Sequence, residues 1–275
     1  MRTKVNLQLL LLSFLLLTFG AAAIQFLRPP AYGRVFGETV GNSGFFTLAI
    51  GLALVVCGIW TFFTYHYGRK ARNSRSSVLP VLIAGLLIAL IVMTRWAEKN
   101  WSILELIEQA ARFVTPWLLL GALRRTSSSA DSAHLLHGAA RVALALTFIG
   151  HGLYALGWPS PTPASFLELV KNCTGLENSA ARNLLMVAGL LDLLAAVAIF
   201  INPTRRAGLL YMLVWGLLTT IARPWAGFDS AAAGASLMEW LPEALVRAPH
   251  FLLPLFLLAG TRSMVGGGRL DISRM

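Results

Sequence analysis

The chain has 275 residues, 56% of them hydrophobic and only 13% charged, with a mean hydropathy of +0.67 and a formal net charge of +11. A soluble domain carries about 25% charged residues, so too few remain here to cover a water-facing surface, and a soluble globular protein is excluded. The basic residues cluster between apolar runs, where they set membrane topology, so nucleic acid is not the partner that the charge implies; the lipid bilayer is.

Eight apolar segments follow in chain order, at 6–26, 45–65, 78–95, 103–123, 136–156, 182–201, 207–223 and 248–261. A bilayer core of about 30 Å needs roughly 20 helical residues, and only the last segment is short for that. The first has the layout of a signal peptide, with a basic start, a leucine-rich middle and a small-residue end. It also aligns with the fifth: in "LTFGAAAIQFLRPP" (17–30) and "LTFIGHGLYALGWP" (146–159), Leu17, Thr18, Phe19, Leu27 and Pro30 meet identical residues. Cleavage would leave that unit incomplete, so the segment is expected to be retained.

The fourth and eighth segments echo one another as well. "ELIEQAARFVTPWLLLGALR" (105–124) lies without a gap on "EALVRAPHFLLPLFLLAGTR" (243–262), with Glu105, Phe113, Pro116 and Arg124 on Glu243, Phe251, Pro254 and Arg262. The predicted fold is therefore an all-α, polytopic membrane protein of about eight transmembrane helices in two parallel four-helix repeats. Residues 1–123 form the first unit, 124–135 a cytoplasmic linker, 136–261 the second unit and 262–275 a cytoplasmic tail. An even number of spans returns each unit to the same side, so an axis along the membrane normal relates them. With both termini inside, thirteen Lys and Arg lie on the cytoplasmic side and seven on the other, as the positive-inside rule requires.

Ionisable residues within spans are costly and mark candidate sites. Asp192 stands on a small-residue face with Ala188, Gly189, Ala195 and Ala196, a face suited to close helix packing. His151, between two glycines, is expected to approach Asp192 directly or through water. Arg141, on the same helix as His151, either snorkels to the headgroups or pairs with Asp192. His250 opens the eighth segment and, with His151 and Arg223, outlines a polar vestibule on the outer side. Position 250 is Arg112 in the first unit, so a permanent charge is exchanged for a titratable group. The first unit thus reads as scaffold and the second as the place of action. Each polar residue has a plain alternative, a hydrogen bond or ion pair that only joins helices. The two cysteines, Cys57 and Cys173, have no metal-ligand spacing. Bis-histidine haem ligation by His151 and His250 is weighed and set aside, because neither depth nor facing is fixed by the sequence.

"ARVALALTFIGHGLYALGWP" (140–159) resembles the first-helix signature of DoxX-like membrane proteins, with Arg141 opening the helix and His151-Gly152 near its end. It departs from that signature in lacking the Lys that often follows the His-Gly. The resemblance implies a four-helix bundle over 136–261, a diverged duplicate before it, and a subunit or accessory of a quinone-linked redox system. Quinone is then the implied cofactor, and a membrane or peripheral redox protein the implied partner. The prokaryotic cytoplasmic (inner) membrane is the implied location. Two alternatives stay open: an assembly partner without chemistry of its own, and a small-solute transporter. No residue is assigned a catalytic role, and whether the protein is an enzyme is left open.

Overall fold

The computed structural model describes residues 2–37, 44–67, 78–124, 130–159 and 161–265. Among these, all regular structure is helical. The elements are α1 (Arg2–Leu27), α2 (Gly33–Phe36), α3 (Gly44–Tyr67), α4 (Val78–Glu98), α5 (Ile103–Glu108), α6 (Ala110–Arg124) and α7 (Ala130–Leu156). After them come α8 (Ala164–Thr174), α9 (Asn178–Ala198), α10 (Arg205–Ala226), α11 (Ala233–Leu245) and α12 (Pro249–Val265).

Six helices are long and apolar enough to cross a membrane: α1, α3, α4, α7, α9 and α10. The protein is thus a multi-pass membrane protein, but its eight apolar runs are not eight uniform helices. The fourth run is interrupted at Gln109, between α5 and α6. The eighth is the second arm of a pair, Ser230–Leu245 and Pro249–Gly260, bent by 41°. Both breaks fall where polar side chains enter the spans, and those side chains take up freed backbone groups. The Ala111 N–H, unpaired at the start of α6, donates to Thr147 Oγ1 of α7 at 2.9 Å. Past the second break, His250 Nδ1–H donates to the Arg247 carbonyl at 2.9 Å. Such partners are what a helix end within a bilayer needs.

Helices α8 and α11 lie in stretches expected to be loops. Pro163 precedes α8, and Gly175, in the left-handed conformation at φ 71°, ends it, the usual asymmetry of helix start and stop. Within the interval read as a linker, α7 already begins at Ala130; residues 125–129 and 266–275 lie outside those described.

In packing order the bundle runs α1, α3, α4, α6, α7, α9, α10, α12 and back to α1. Phe14, Leu54, Leu119, Leu144, Met212 and Leu253 are fully buried along its axis. Leu52, Val56, Leu190, Leu194 and Leu218 are exposed on its outside, where lipid replaces water as the solvent. One close crossing joins α7 to α9. A Cβ on Gly152 would stand 2.8 Å from the Gly189 carbonyl oxygen, and one on Gly189 would stand 2.7 Å from that of Gly152. Ala188, Ala195 and Ala196 are buried beside this contact. Here close approach of two backbones is possible because neither glycine carries a side chain.

Candidate functional site

The α7–α9 crossing places Asp192 and His151 on the wall of one cavity of ≈ 380 Å³. Its other walls come from α8 (Phe166, Leu169, Val170, Cys173), α10 (Trp215, Leu218, Ala222, Arg223) and the second break (Arg247). Leu184, Leu218, Ile221 and Trp225 on α9 and α10 line it and are also exposed on the outside of the bundle. The cavity therefore meets the lipid-facing surface between these two helices. Most of its lining is apolar, with Thr174 and Thr219 among the lining residues and charged side chains at two places.

His151, Arg247 and Arg223 form one of these places. His151 Nδ1–H donates to the Thr147 carbonyl at 3.0 Å, which leaves Nε2 of the neutral ring to accept from Arg247 Nη1 at 3.2 Å. Glu108 Oε1 lies 3.6 Å from His151 Nε2 and 3.8 Å from Arg247 Nη2. The backbone of Glu108 can come this near because α7 has Gly150 there; a Cβ on Gly150 would stand 3.0 Å from the Glu108 nitrogen. His250 lies beside His151, with ring centroids 5.3 Å apart and planes tilted by 56°. The Nε atoms of Arg223 and Arg247 have no protein partner. Both arginines line the cavity, and a guanidinium donates hydrogen bonds and accepts none.

Asp192 forms the other place and is 3% exposed. Its Oδ1 accepts from the Tyr211 hydroxyl at 2.9 Å, and Trp215 is a second hydrogen-bonding neighbour. His151 and Asp192 thus face one space, as expected, but each has its own direct hydrogen-bond partners instead of bonding the other. The reason is competition: Glu108 and Arg247 reach His151, while Tyr211 on the neighbouring helix α10 reaches Asp192. Arg141 lies half-buried toward the other end of α7, in electrostatic reach of Arg205. It does not line the cavity and does not pair with Asp192.

The reading of the first unit as scaffold is also corrected. Glu108 comes from α5, and behind it Arg112 Nη1 donates to Gln109 Oε1 at 2.7 Å, while Gln109 Nε2 donates to Glu105 Oε1 at 2.9 Å. These side chains are all buried. The charged cluster is built across the contact of α5 with α7, from both halves of the chain. Among the described residues no three His, Cys, Asp or Glu side chains come together as a metal site.

Fold and site together define a class: a multi-pass α-helical membrane protein with a largely apolar, lipid-facing cavity ending on two arginines, the buried Arg247 and the half-buried Arg223. Comparison with protein-family models, curated proteins and solved structures gives no match for this chain.

Proposed function

We propose that the protein takes an isoprenoid quinone from the bilayer into the α7–α10 cavity and serves as an accessory or subunit of a quinone-linked redox system. The observation that carries this reading is the two-sided cavity. At ≈ 380 Å³ it falls within the roughly 300–1,000 Å³ range of small-molecule sites. Its apolar mouth between α9 and α10 suits a prenyl tail. At the other end stand the guanidinium groups of Arg223 and Arg247, whose N–H groups suit a ring carbonyl oxygen; Asp192, which accepts from Tyr211, lines the cavity as well. A bound quinone supplies two-electron carriage between partner proteins, and this chain supplies the donors, the tail channel and the exclusion of water. The same apolar lining counts against the solute-transport alternative, which needs a polar path.

The DoxX-like resemblance of residues 140–159 supports the redox setting. We further read the chain as eight membrane crossings in two parallel units, with both termini on the cytoplasmic side of a prokaryotic inner membrane. The packing supports the duplication. α1 lies on α12 and α7 on α6; α1 lies on α11 and α7 on α5. Gly20 of α1 presses on Leu245 and Val246 before the second break, as Gly150 of α7 presses on Glu108 before the first. Each echoed position bonds the residue three before it, Arg112 through the Gln109 side chain and His250 through the Arg247 backbone carbonyl. In the first unit Tyr32, wholly buried and edge-on to Phe46 at 5.2 Å, sits among α1, α3 and α4. Those helices correspond to the ones that enclose the cavity in the second unit.

The test is a titration of the purified protein with a short-chain quinone analogue, read by tryptophan fluorescence. Saturable quenching is expected, and replacing both lining tryptophans, Trp215→Phe with Trp225→Phe, removes most of it. Equal quenching in that double variant, or none in the wild type, would refute the assignment.

A further inference from the structure

The stripe of α7 that packs on α9 continues past the end of α9. A Cβ on Gly152 would near Gly189 and Leu193, and one on Gly189 would near Gly152 and Leu156, the pattern of helices running in opposite directions. Arg141 is eleven residues before Gly152, and eleven residues after Gly189 comes Phe200, beyond Ala198, the last residue of α9. At 1.5 Å per residue in both helices, Arg141 therefore stands level with the turn between α9 and α10. Helical spacing sets Ala145, Arg141, Gly138 and His134 on the line of Gly152. The last two lie past the turn, where no α9 remains to cover them. A Cβ on Gly138 would meet nothing within 4 Å, and His134 is exposed. This end of the bundle thus carries an open notch with the half-buried Arg141 at its base.

Arg205 and Arg206 open α10 at the same level. Arg205 is fixed over the turn, with Nε donating to the Ile199 carbonyl at 3.2 Å and Nη2 donating to Asn202 Oδ1. Arg141 stands in its electrostatic reach. Among the described residues no hydrogen bond or ion pair engages the Arg141 guanidinium, and no carboxylate pairs with any of the three arginines. The positive-inside rule accounts for charges at helix ends, but not for one placed eleven residues into α7 against another of the same sign. Like charges held together repel, and an anion between them turns that cost into a gain. A guanidinium pair suits phosphate oxygens in particular. On the lipid side of the notch Val142, Val197 and Phe200 are exposed, so a basic base adjoins an apolar flank. We infer that the notch holds the headgroup of one anionic phospholipid, its phosphodiester on Arg141 and Arg205 and its acyl chains along Val142, Val197 and Phe200. Basic pockets between membrane helices recognise such headgroups. A zwitterionic headgroup fits less well, because its ammonium meets arginines. Neither Arg141 nor Arg205 lines the α7–α10 cavity, so the inference stands apart from the quinone reading.

The experiment uses the full chain, purified in a neutral detergent until it is free of phospholipid. Thermal unfolding is followed while dioctanoyl phosphatidylglycerol, dioctanoyl phosphatidylcholine or inorganic phosphate is added at constant ionic strength. A saturable rise in melting temperature is expected with phosphatidylglycerol, as for any ligand that binds only the folded state, and little with the other two. Arg141→Gln and Arg205→Gln each abolish the rise, whereas Arg124→Gln, which removes a charge from the end of α6, keeps it. Gly138→Leu fills the notch without changing any charge and is expected to abolish the rise as well. Its side chain enters open space, so it carries the test if an arginine variant does not fold. An equal rise with phosphatidylcholine would mean a lipid surface without charge selection, and an equal rise with inorganic phosphate a site for soluble anions. Either result overturns the inference, as does a full response in Arg141→Gln or in Gly138→Leu.

Discussion

Replacing Gly152 by Ala probes the contact on which the cavity depends. An added Cβ would stand 2.8 Å from the Gly189 carbonyl oxygen, 3.2 Å from Asp192 Cβ and 3.3 Å from Leu193. The first of these atoms is backbone and cannot swing away, so α7 and α9 must separate. Overpacking of this kind costs about 1–3 kcal/mol. Set against it is the gain from Ala over Gly within a helix, about 0.5–1 kcal/mol. Gly138 on the same helix separates the two effects, because a Cβ there meets nothing within 4 Å. Gly138→Ala is therefore expected to be neutral or stabilising, and Gly152→Ala to fall below it by about 1–3 kcal/mol, the helix gain cancelling between them. The assay is thermal unfolding of both variants in one detergent, where about 2–4 °C accompanies each kcal/mol in a chain of this size class. Equal melting temperatures for the two variants would refute the close crossing and, with it, the placement of Asp192 on the cavity wall.

Three further outcomes follow from the site and its surroundings. Arg247→Ala leaves Glu108 without its arginine and is expected to destabilise by about 3–5 kcal/mol, whereas Arg247→Gln combined with Glu108→Gln recovers a large part of that loss; denaturation of the single and double variants decides it. Tyr211→Phe removes the donor to buried Asp192 and is expected to cost about 1–3 kcal/mol, with Asp192→Leu in the same chain making the loss of the hydroxyl nearly neutral; a double-mutant cycle measures the coupling. Tyr32, in the loop after α1, has its phenol pushed well above the ordinary range, chiefly by burial. A raised native value means that its contribution is complete below about pH 10, the unfolded value, and is lost as the pH rises beyond it. Melting temperatures from pH 8 to pH 11 are thus expected to fall less steeply in Tyr32→Phe than in the wild type.

The apolar runs were readable because long charge-free stretches have few alternatives to helix. The two broken ones were not, because a 20-residue window averages over Gln109 and over Val246–Ala248. The helix α8 carried its signal openly, in Pro163 before it and Gly175 after it, but its 11 residues lie in a stretch long enough to be read as a loop. The candidate site was partly readable: His151, Asp192 and Arg223 line the cavity, and His250 touches His151. What the chain order hid was the partner set. Glu108 was visible as a charge in the fourth segment, but nothing local shows that α5 packs on α7. Tyr211, 19 residues from Asp192, reads as an ordinary aromatic in an apolar helix until the α9–α10 pair is formed. Arg141 is a candidate in the sequence as a charge on the helix of His151 and part of its signature; the face on which it lies depends on neighbours that sequence spacing does not supply.

The measurement closest to the central proposal is an organic extract of the protein purified from its native membranes, compared with that of Ala222→Trp. Ala222 lines the cavity beside Arg223, and an indole there fills space without touching the charged cluster's composition. The account predicts quinone in the wild-type extract at a fixed ratio to protein and little or none in Ala222→Trp. Wild-type protein that carries no quinone, or an Ala222→Trp variant that carries the same amount, would contradict it.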